Sequence, residues 1–256
     1  MPVRFCACER LIGEPYGRRE ECCIVATGEA IELALSSEVV MSSFKQQREE
    51  MVRTQLMARG IGDQRVLDAM GTVPRERFVP ENCQHLSYRD RPVPIEASQT
   101  ISQPYIVAAM IEALKLEPGD RVLEVGSGSG YACAILSRIA VEVYGIEYHA
   151  ELAELARKRM TDLGYDNVEI RQGDGTLGWP DHAPFDAILV SAGGPDVPSS
   201  LLKQLSIGGR IVIPVGKRAH GQELVRVTRQ GEQDYSKDSL GQVRFVRLVG
   251  SEGWQN

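Results

Sequence analysis

The fold of this chain is decided by residues 123–131, which read LEVGSGSGY. Apolar residues that suit a buried strand come first, and a helix-forming run begins at Tyr131. Glycines at such a turn allow unusual backbone angles and let a ligand approach the main chain closely. The stretch therefore predicts a nucleotide-binding turn at the carboxyl end of a strand.

The spacing of the glycines disfavours a dinucleotide. A dinucleotide fingerprint would place its third glycine at position 131, which is Tyr131. The third glycine is instead Gly130, and Glu124 stands two positions before Gly126. This order of acid and alternating glycines resembles the glycine loop of the class I methyltransferases.

Strands and helices are predicted to alternate around the glycine stretch. Apolar runs predict seven strands, at Val122–Val125, Val141–Ile146, Asn167–Arg171, Ala187–Val190, Arg210–Val215, Glu223–Thr228 and Val243–Val249. Helical patterns between them lie at Tyr131–Ile139, His149–Leu163 and Pro198–Leu205. We therefore expect an α/β fold with a doubly wound, mostly parallel, seven-stranded Rossmann-like sheet.

The residues before the sheet are predicted to be mainly helical. One helix begins near Ser42 or Ser43, another covers Asp63–Ala69, and a third starts at Pro104. We divide the predicted domain into a helical acceptor segment, 41–117, and a cofactor-binding core, 118–256. Residues 1–40 lack sustained periodicity, so we expect either a poorly ordered extension or residues upstream of a true start at Met41.

Composition limits the possible partners and the compartment. The net charge of −6, without a basic stripe, disfavours nucleic acid as the main partner. No run of about 18 apolar residues predicts a membrane span, and the first residues lack the pattern of a secretory signal. Cys6, Cys8, Cys22 and Cys23 match zinc-site spacing poorly, so we expect reduced thiols, no metal, and a cytoplasmic monomer.

Two acidic positions suit an adenosine-containing ligand. Glu147 ends the second predicted strand, 21 positions after Gly126, where a carboxylate can accept hydrogen bonds from ribose hydroxyls. Asp174 and Gly175 follow the third strand, where a carboxylate can contact an adenine. An Asp-Gly pair alone is more often a simple turn, so its position in the fold carries the prediction.

The acceptor side rests on a family resemblance. Residues 99–105 read QTISQPY, and this string resembles the protein-L-isoaspartate O-methyltransferases. The similarity runs from about Phe44 to Val249 and includes Val73–Val79, Pro94-Ile95, Glu124–Tyr131, Gly173–Gly175, Pro184–Ile188 and Gly208–Gly216.

The resemblance implies roles for individual residues. S-adenosylmethionine would be the cofactor, and isoaspartyl-containing proteins and peptides would be the substrates. Ser102 would be the active-site residue, with Thr100 beside it, and Val249 would lie near the acceptor. The implied cofactor-binding residues are Ile101, Glu124, Gly126, Ser127, Gly128, Glu147, Asp174 and Gly175.

The chemistry of this reaction explains so plain a set of residues. The acceptor carboxylate is already ionised at neutral pH, so no strong base is needed. Ser102 is therefore better interpreted as a positioning residue, although it could equally cap the helix that begins near Pro104.

Two departures from the family pattern touch the acceptor groove. Glu96 follows Ile95 where a glycine is common, and Arg247 stands between Val246 and Leu248 where a proline is usual. A methyltransferase of the same fold acting on a small molecule or RNA, or an inactive relative, remains as an alternative. Tyr131 argues against a nicotinamide-dependent dehydrogenase.

Overall fold

The computed structural model describes residues 43–216 and 221–255. The predicted extension, residues 1–40, lies outside the described residues, and so do Cys6, Cys8, Cys22 and Cys23. Within the described ranges, no helix is both long enough and apolar enough to cross a membrane.

Helices come first, as predicted. Helix α1 covers residues 43–51 and continues through a wider turn, Val52–Leu56, and a tighter one, Met57–Arg59. Helix α2, Gln64–Thr72, follows Asp63, whose carboxylate accepts the N–H of Arg65 as an N-cap.

A short hairpin connects this segment to the sheet. Its strands are β1, Val93–Pro94, and β2, Thr100–Ile101, and helix α3, Pro104–Leu114, follows directly. Proline at the first position of α3 suits a helix start because its missing N–H would have no partner there. The N-cap of α3 is Gln103 and no side chain caps it, so the alternative interpretation of Ser102 as a helix cap is wrong.

The central sheet has seven strands, which confirms the predicted fold class. They are β3, Arg121–Val125; β4, Glu142–Glu147; β5, Val168–Gln172; β6, Phe185–Val190; β7, Leu205–Val215; β8, Gln222–Arg229; and β9, Tyr235–Val243. The helices between them are α4, Tyr131–Leu136; α5, Ala150–Leu163; and α6, Ser199–Lys203.

The order of the strands decides where a ligand can bind. The order is β5-β4-β3-β6-β7-β8-β9, parallel from β5 to β7 and antiparallel at β8 and β9. From β3 the chain moves outward to β4 and β5, and then returns to the other side of β3 at β6. Ligands of open parallel sheets bind at the carboxyl ends of the strands at such a reversal, here between β3 and β6.

Both faces of the sheet are buried. Val122 packs in a core with residues of α2, α3, α4 and α5, whereas Leu123 packs in a second core with Leu201 of α6. Neighbouring residues of a strand point to opposite faces, so burial on both faces explains the continuous apolar run in β3.

The prediction of a strand at Val243–Val249 is wrong. The last strand is β9, whose side chains are mostly exposed at the edge of the sheet, so polarity hides it from an apolar pattern. Residues 244–249 instead leave the sheet and pair at single positions, Arg247 with Gly193 and Val249 with Trp254.

Candidate active site

The glycine loop is shaped by close contact with α5. A side-chain carbon on Gly130 would lie 2.9 Å from Cε of Met160 and 3.3 Å from Cβ of Ala156, and its φ is 88°. The positive φ favours glycine at this position, and the contact with Ala156 leaves little room for a side chain. The side chain of Ser127 is buried and faces the protein interior, packing against Gly145.

Glu147 lies at the end of β4, beside the loop. Its Oε2 accepts the N–H of Gly128 at 2.8 Å, and its Oε1 accepts the N–H of His149 at 2.8 Å. Each carboxylate oxygen keeps a second lone pair, so both can still accept hydroxyl donors. The carboxylate is therefore fixed in place and suited to a pair of ribose hydroxyls.

Asp174 has a different environment from Glu147. Its Oδ1 accepts the N–H of Thr176 at 2.9 Å, and its Oδ2 accepts the N–H of Ser251 at 2.7 Å. Burial raises the pKa of Asp174, but the hydrogen bonds from Thr176 and Ser251 outweigh it and leave the pKa below its usual value. Asp174 thus ties the C-terminal residues to the sheet, while its neighbour Gly175 lines the adjacent cavity.

Residues 246–249 form one wall of that cavity, and the residues after them fix this wall to the sheet. Glu252 accepts hydrogen bonds from Ser200, and the indole N–H of Trp254 donates to the carbonyl of Gly193 at 2.9 Å. Val249 and Arg247 lie on this wall. Val249, implied by the resemblance to lie near the acceptor, therefore lies on the side of the glycine loop.

Two of the three site residues predicted in the hairpin region point their side chains into a cleft. Thr100 and Ser102 line a cleft, whereas the side chain of Ile101 is buried in the hydrophobic core. This separation follows from the alternation of side chains along a strand. In the part of the chain that the structure describes, the hydroxyls of Thr100 and Ser102 have no hydrogen-bond partner.

A buried arginine fixes Ser102 from behind. Nε of Arg75 donates to the carbonyl of Ser87 at 2.6 Å, and Nη2 donates to the carbonyl of Ser102 at 2.7 Å. The guanidinium lies 4.7 Å from the centroid of the Tyr131 ring, which begins α4 directly after the glycine loop. Burial lowers the pKa of Arg75. One cation thus connects the hairpin to the glycine loop.

Two cavities meet at the hairpin. The glycine-loop cavity is lined by Gly126, Gly128 and Glu147, and the Ser102 cleft by Ser102, Gln103 and Arg244. Their volumes are about 80 Å³ and about 580 Å³, respectively. The residues that line both are Thr100, Ser191 and Val246.

Sequence reasoning missed two residues of these cavities. Ser191 follows β6 and its Oγ donates to Oε1 of Glu124 at 2.8 Å, and this contact depends on strand order, which no local motif shows. Glu124 itself is buried behind Ser191, and burial raises its pKa to about 7, the hydrogen bonds from Cys133 and Ser191 opposing the shift. Arg244 lines the Ser102 cleft, and no aspartate or glutamate is among the described residues that line it.

The departure at Glu96 has a local partner. Oε1 of Glu96 accepts Nη2 of Arg159 at 3.0 Å, and Arg159 also donates to the carbonyl of Ser129. The pair therefore ties the hairpin loop to α5 and to the glycine loop. It lies beside the loop backbone and does not enter the Ser102 cleft.

A doubly wound sheet with this glycine loop, a fixed acid at the end of the next strand and an adjoining cleft defines a class I methyltransferase that uses S-adenosylmethionine. The chain belongs to the family described as protein-L-isoaspartate(D-aspartate) O-methyltransferase, whose model matches residues 46–253. This membership favours carboxyl methylation of damaged proteins over a methyltransferase of the same fold acting on a small molecule or RNA.

Two curated relatives are similar to this chain over about four fifths of its length. Protein-L-isoaspartate O-methyltransferase 2 of Pelobacter propionicus is 60% identical over 81% of this chain and 92% of its own. The enzyme of Protochlamydia amoebophila is 56% identical over 80% of this chain and 98% of its own.

Two solved structures share the fold. One protein-L-isoaspartate O-methyltransferase has a TM-score of 0.73 at 30% identity, covering 80% of this chain and 67% of its own. A putative one from Plasmodium falciparum, in complex with S-adenosyl-L-homocysteine, has a TM-score of 0.68 at 28% identity, covering 80% and 98%.

Proposed function

We propose that this chain methylates the free carboxylate of isoaspartyl residues with the acceptor at Thr100 and Ser102 and the donor in the glycine-loop cavity. One observation carries the assignment: Thr100 lines both cavities, so ligands in the two would meet beside it. Since the hydroxyls of Thr100 and Ser102 have no hydrogen-bond partner among the described residues, they can orient an acceptor oxygen.

The acceptor requires orientation more than activation. An isoaspartyl carboxylate is ionised at neutral pH and is itself the nucleophile. Hydroxyl donors fix its direction, and Arg244 supplies a positive charge in a cleft whose described lining contains no carboxylate. Holding reacting atoms in line accounts for a large part of the rate enhancement of such a transfer.

The donor side is built from rigid groups. Bound S-adenosylmethionine supplies a methyl group made electrophilic by its sulfonium. Gly126 and Gly128 allow close approach of the backbone, and Glu147 offers both carboxylate oxygens to the ribose hydroxyls. Val246 and Val249 add apolar side chains to the lining of this cavity, and exclusion of water by the bound donor would favour transfer to the acceptor.

The test uses two peptides of one sequence, one with an isoaspartyl linkage and one with a normal aspartyl linkage. With S-adenosylmethionine labelled in its methyl group, we expect base-labile label on the isoaspartyl peptide alone. The adjacent backbone nitrogen of the peptide then attacks the methyl ester and releases methanol, which closes a succinimide without the enzyme and begins repair. Label on neither peptide, with the donor still bound, would overturn the proposal.

A matched pair of variants tests the assigned roles. Ser102→Ala should lower kcat/KM for the isoaspartyl peptide by about tenfold or more, because orientation is lost, with the Kd for S-adenosylmethionine unchanged. Glu147→Gln should weaken donor binding instead. If Ser102→Ala weakens donor binding and spares peptide kinetics, the division between the two cavities is wrong.

We further propose that the chain acts as a cytoplasmic monomer on proteins, without nucleic acid or membrane. The net charge of −6 opposes binding to a phosphate backbone. The free thiols of Cys83 and Cys133 are compatible with a reducing compartment. Light scattering after gel filtration and fractionation of cells test the two statements.

A further inference from the structure

Ser191 lies at the centre of the site. It follows β6, and its N–H donates to the carbonyl of Val125, the last residue of β3, at 2.8 Å. A side-chain carbon on Gly126 would lie 3.8 Å from the carbonyl carbon of Ser191. Ser191 is therefore positioned at the reversal in strand order, against the glycine loop and on the lining of both cavities.

The hydroxyl of Ser191 has a defined polarity. Its only hydrogen is donated to Oε1 of Glu124 at 2.8 Å, so its oxygen offers only lone pairs to any further partner. Glu124 is 1% exposed, and its Oε2 has no hydrogen-bond partner within the described ranges. Above the raised pKa of Glu124, about 7, its buried carboxylate is ionised and increases the negative charge that the hydroxyl oxygen presents.

The groups around this pair do not neutralise it. Cys133 of α4 faces Glu124, and burial raises the pKa of its thiol well above the usual value, so it stays neutral. Glu147 of β4 adds a second carboxylate at the glycine-loop cavity. Among the described residues lining that cavity, Arg247 is the one arginine or lysine, and it is exposed.

We propose that Ser191 is a further donor-binding residue, whose oxygen accepts weak hydrogen bonds from the polarised methyl and methylene C–H groups of the sulfonium, and that Glu124 is a positioning residue acting through Ser191. The inference rests on the proposed function, since it places the donor in the glycine-loop cavity. C–H donors beside a cation are attracted to such an oxygen. Glu124, which the family resemblance implies to bind the cofactor, would thereby act through Ser191 and not by direct contact with the donor.

The proposal predicts a difference between two ligands. S-adenosylhomocysteine lacks the methyl group and the sulfonium charge, and otherwise matches S-adenosylmethionine. Ser191→Ala should raise the Kd for S-adenosylmethionine about fivefold to tenfold, with the Kd for S-adenosylhomocysteine changed less than about twofold. At a pH above the pKa of Glu124, about 7, Glu124→Gln should act in the same direction because it removes the charge behind the hydroxyl. Ser191→Thr keeps the hydroxyl and should restore the discrimination.

Calorimetry of the full-length protein measures these constants without turnover. Ser102→Ala is the matched control, because Ser102 lines only the Ser102 cleft, and both Kd values should remain those of the natural protein. Equal weakening of both ligands by Ser191→Ala would overturn the inference, since shape alone would then explain the effect. So would unchanged donor binding with a raised peptide KM.

The outcome also separates this inference from the proposed function. If the natural protein methylates the isoaspartyl peptide but Ser191→Ala keeps full discrimination between the ligands, only the role of Ser191 fails. If the natural protein binds S-adenosylmethionine but labels no peptide, the proposed function fails and the binding comparison still tests Ser191.

Discussion

Replacement of Arg75 by methionine tests whether one buried cation organises the acceptor side. Arg75 is 0% exposed and donates to the carbonyls of Ser87 and Ser102. A hydrogen bond from a charged group contributes about 1.5–3 kcal/mol, so losing both removes about 3–6 kcal/mol. Burial of the guanidinium opposes folding, as its lowered pKa indicates, and methionine recovers part of this penalty. We expect a net loss of about 2–4 kcal/mol.

The assay combines urea unfolding with steady-state kinetics under conditions where the variant stays folded. Freed of its anchor, Ser102 should lose its orientation, and kcat for the isoaspartyl peptide should fall about tenfold or more. Arg77→Met is the matched control, because Arg77 lies in the same turn, Arg75–Phe78, and is exposed. Its stability should change by less than about 0.5 kcal/mol.

Two results would refute this argument. An Arg75→Met protein as stable as the natural one would show that the two hydrogen bonds contribute little. A destabilised variant with normal kcat in its folded fraction would show that Arg75 supports the fold without orienting Ser102.

Three further predictions concern the hairpin turn, the cavity wall and the buried acid. Ser98→Gly should stabilise the protein by about 0.5–1 kcal/mol in urea unfolding, because φ is 56° at Ser98 and a left-handed backbone favours glycine. A loss of stability would contradict this prediction. Trp179→Phe leaves Trp254 as the one tryptophan of the chain, and binding of S-adenosylhomocysteine should change its fluorescence emission. The reason is that the glycine-loop cavity, about 80 Å³, is smaller than ligand pockets of roughly 300–1,000 Å³, so we expect its wall to move. Unchanged emission at saturation would show that this wall stays in place. Folding raises the pKa of Glu124 from 4.5 to about 7, so between these pH values the folded state binds a proton that the unfolded state has lost. The unfolding free energy of the natural protein, relative to that of Glu124→Gln, should therefore fall by about 3 kcal/mol as pH rises through that interval. A difference that does not change with pH would exclude this shift.

Much of the sheet was predictable because its parallel strands are buried on both faces. A continuous apolar run such as Val122–Val125 indicates a buried strand once glycine turns and helical patterns separate it from its neighbours. The last strand was not predictable, since β9 lies at an exposed edge and has a polar sequence. The apolar residues just after it were mistaken for a strand because they cover a cavity instead.

Some residues of the candidate site were predictable from the sequence and others were not, for a similar reason. Glu147 and the glycines were predictable because each follows its own strand at a fixed spacing. Ser191 was not, since its importance comes from β3 and β6 lying side by side although 67 positions separate Ser191 from Glu124. The bonds that Asp174 makes to Ser251 likewise depend on where the chain end folds back. The assigned roles of these side chains stay predictions until the variants are measured.

The residue Val246 belongs to the linings of both cavities, and it begins the wall that we expect to yield to a donor. Binding of one substrate should therefore affect binding of the other. Since Val246 lines both cavities, a wall that moves for the donor would also change the cleft that receives the peptide, and a peptide already lying in that cleft would hold the wall in place. We therefore expect a compulsory kinetic order, in which the donor enters first and its demethylated product leaves last.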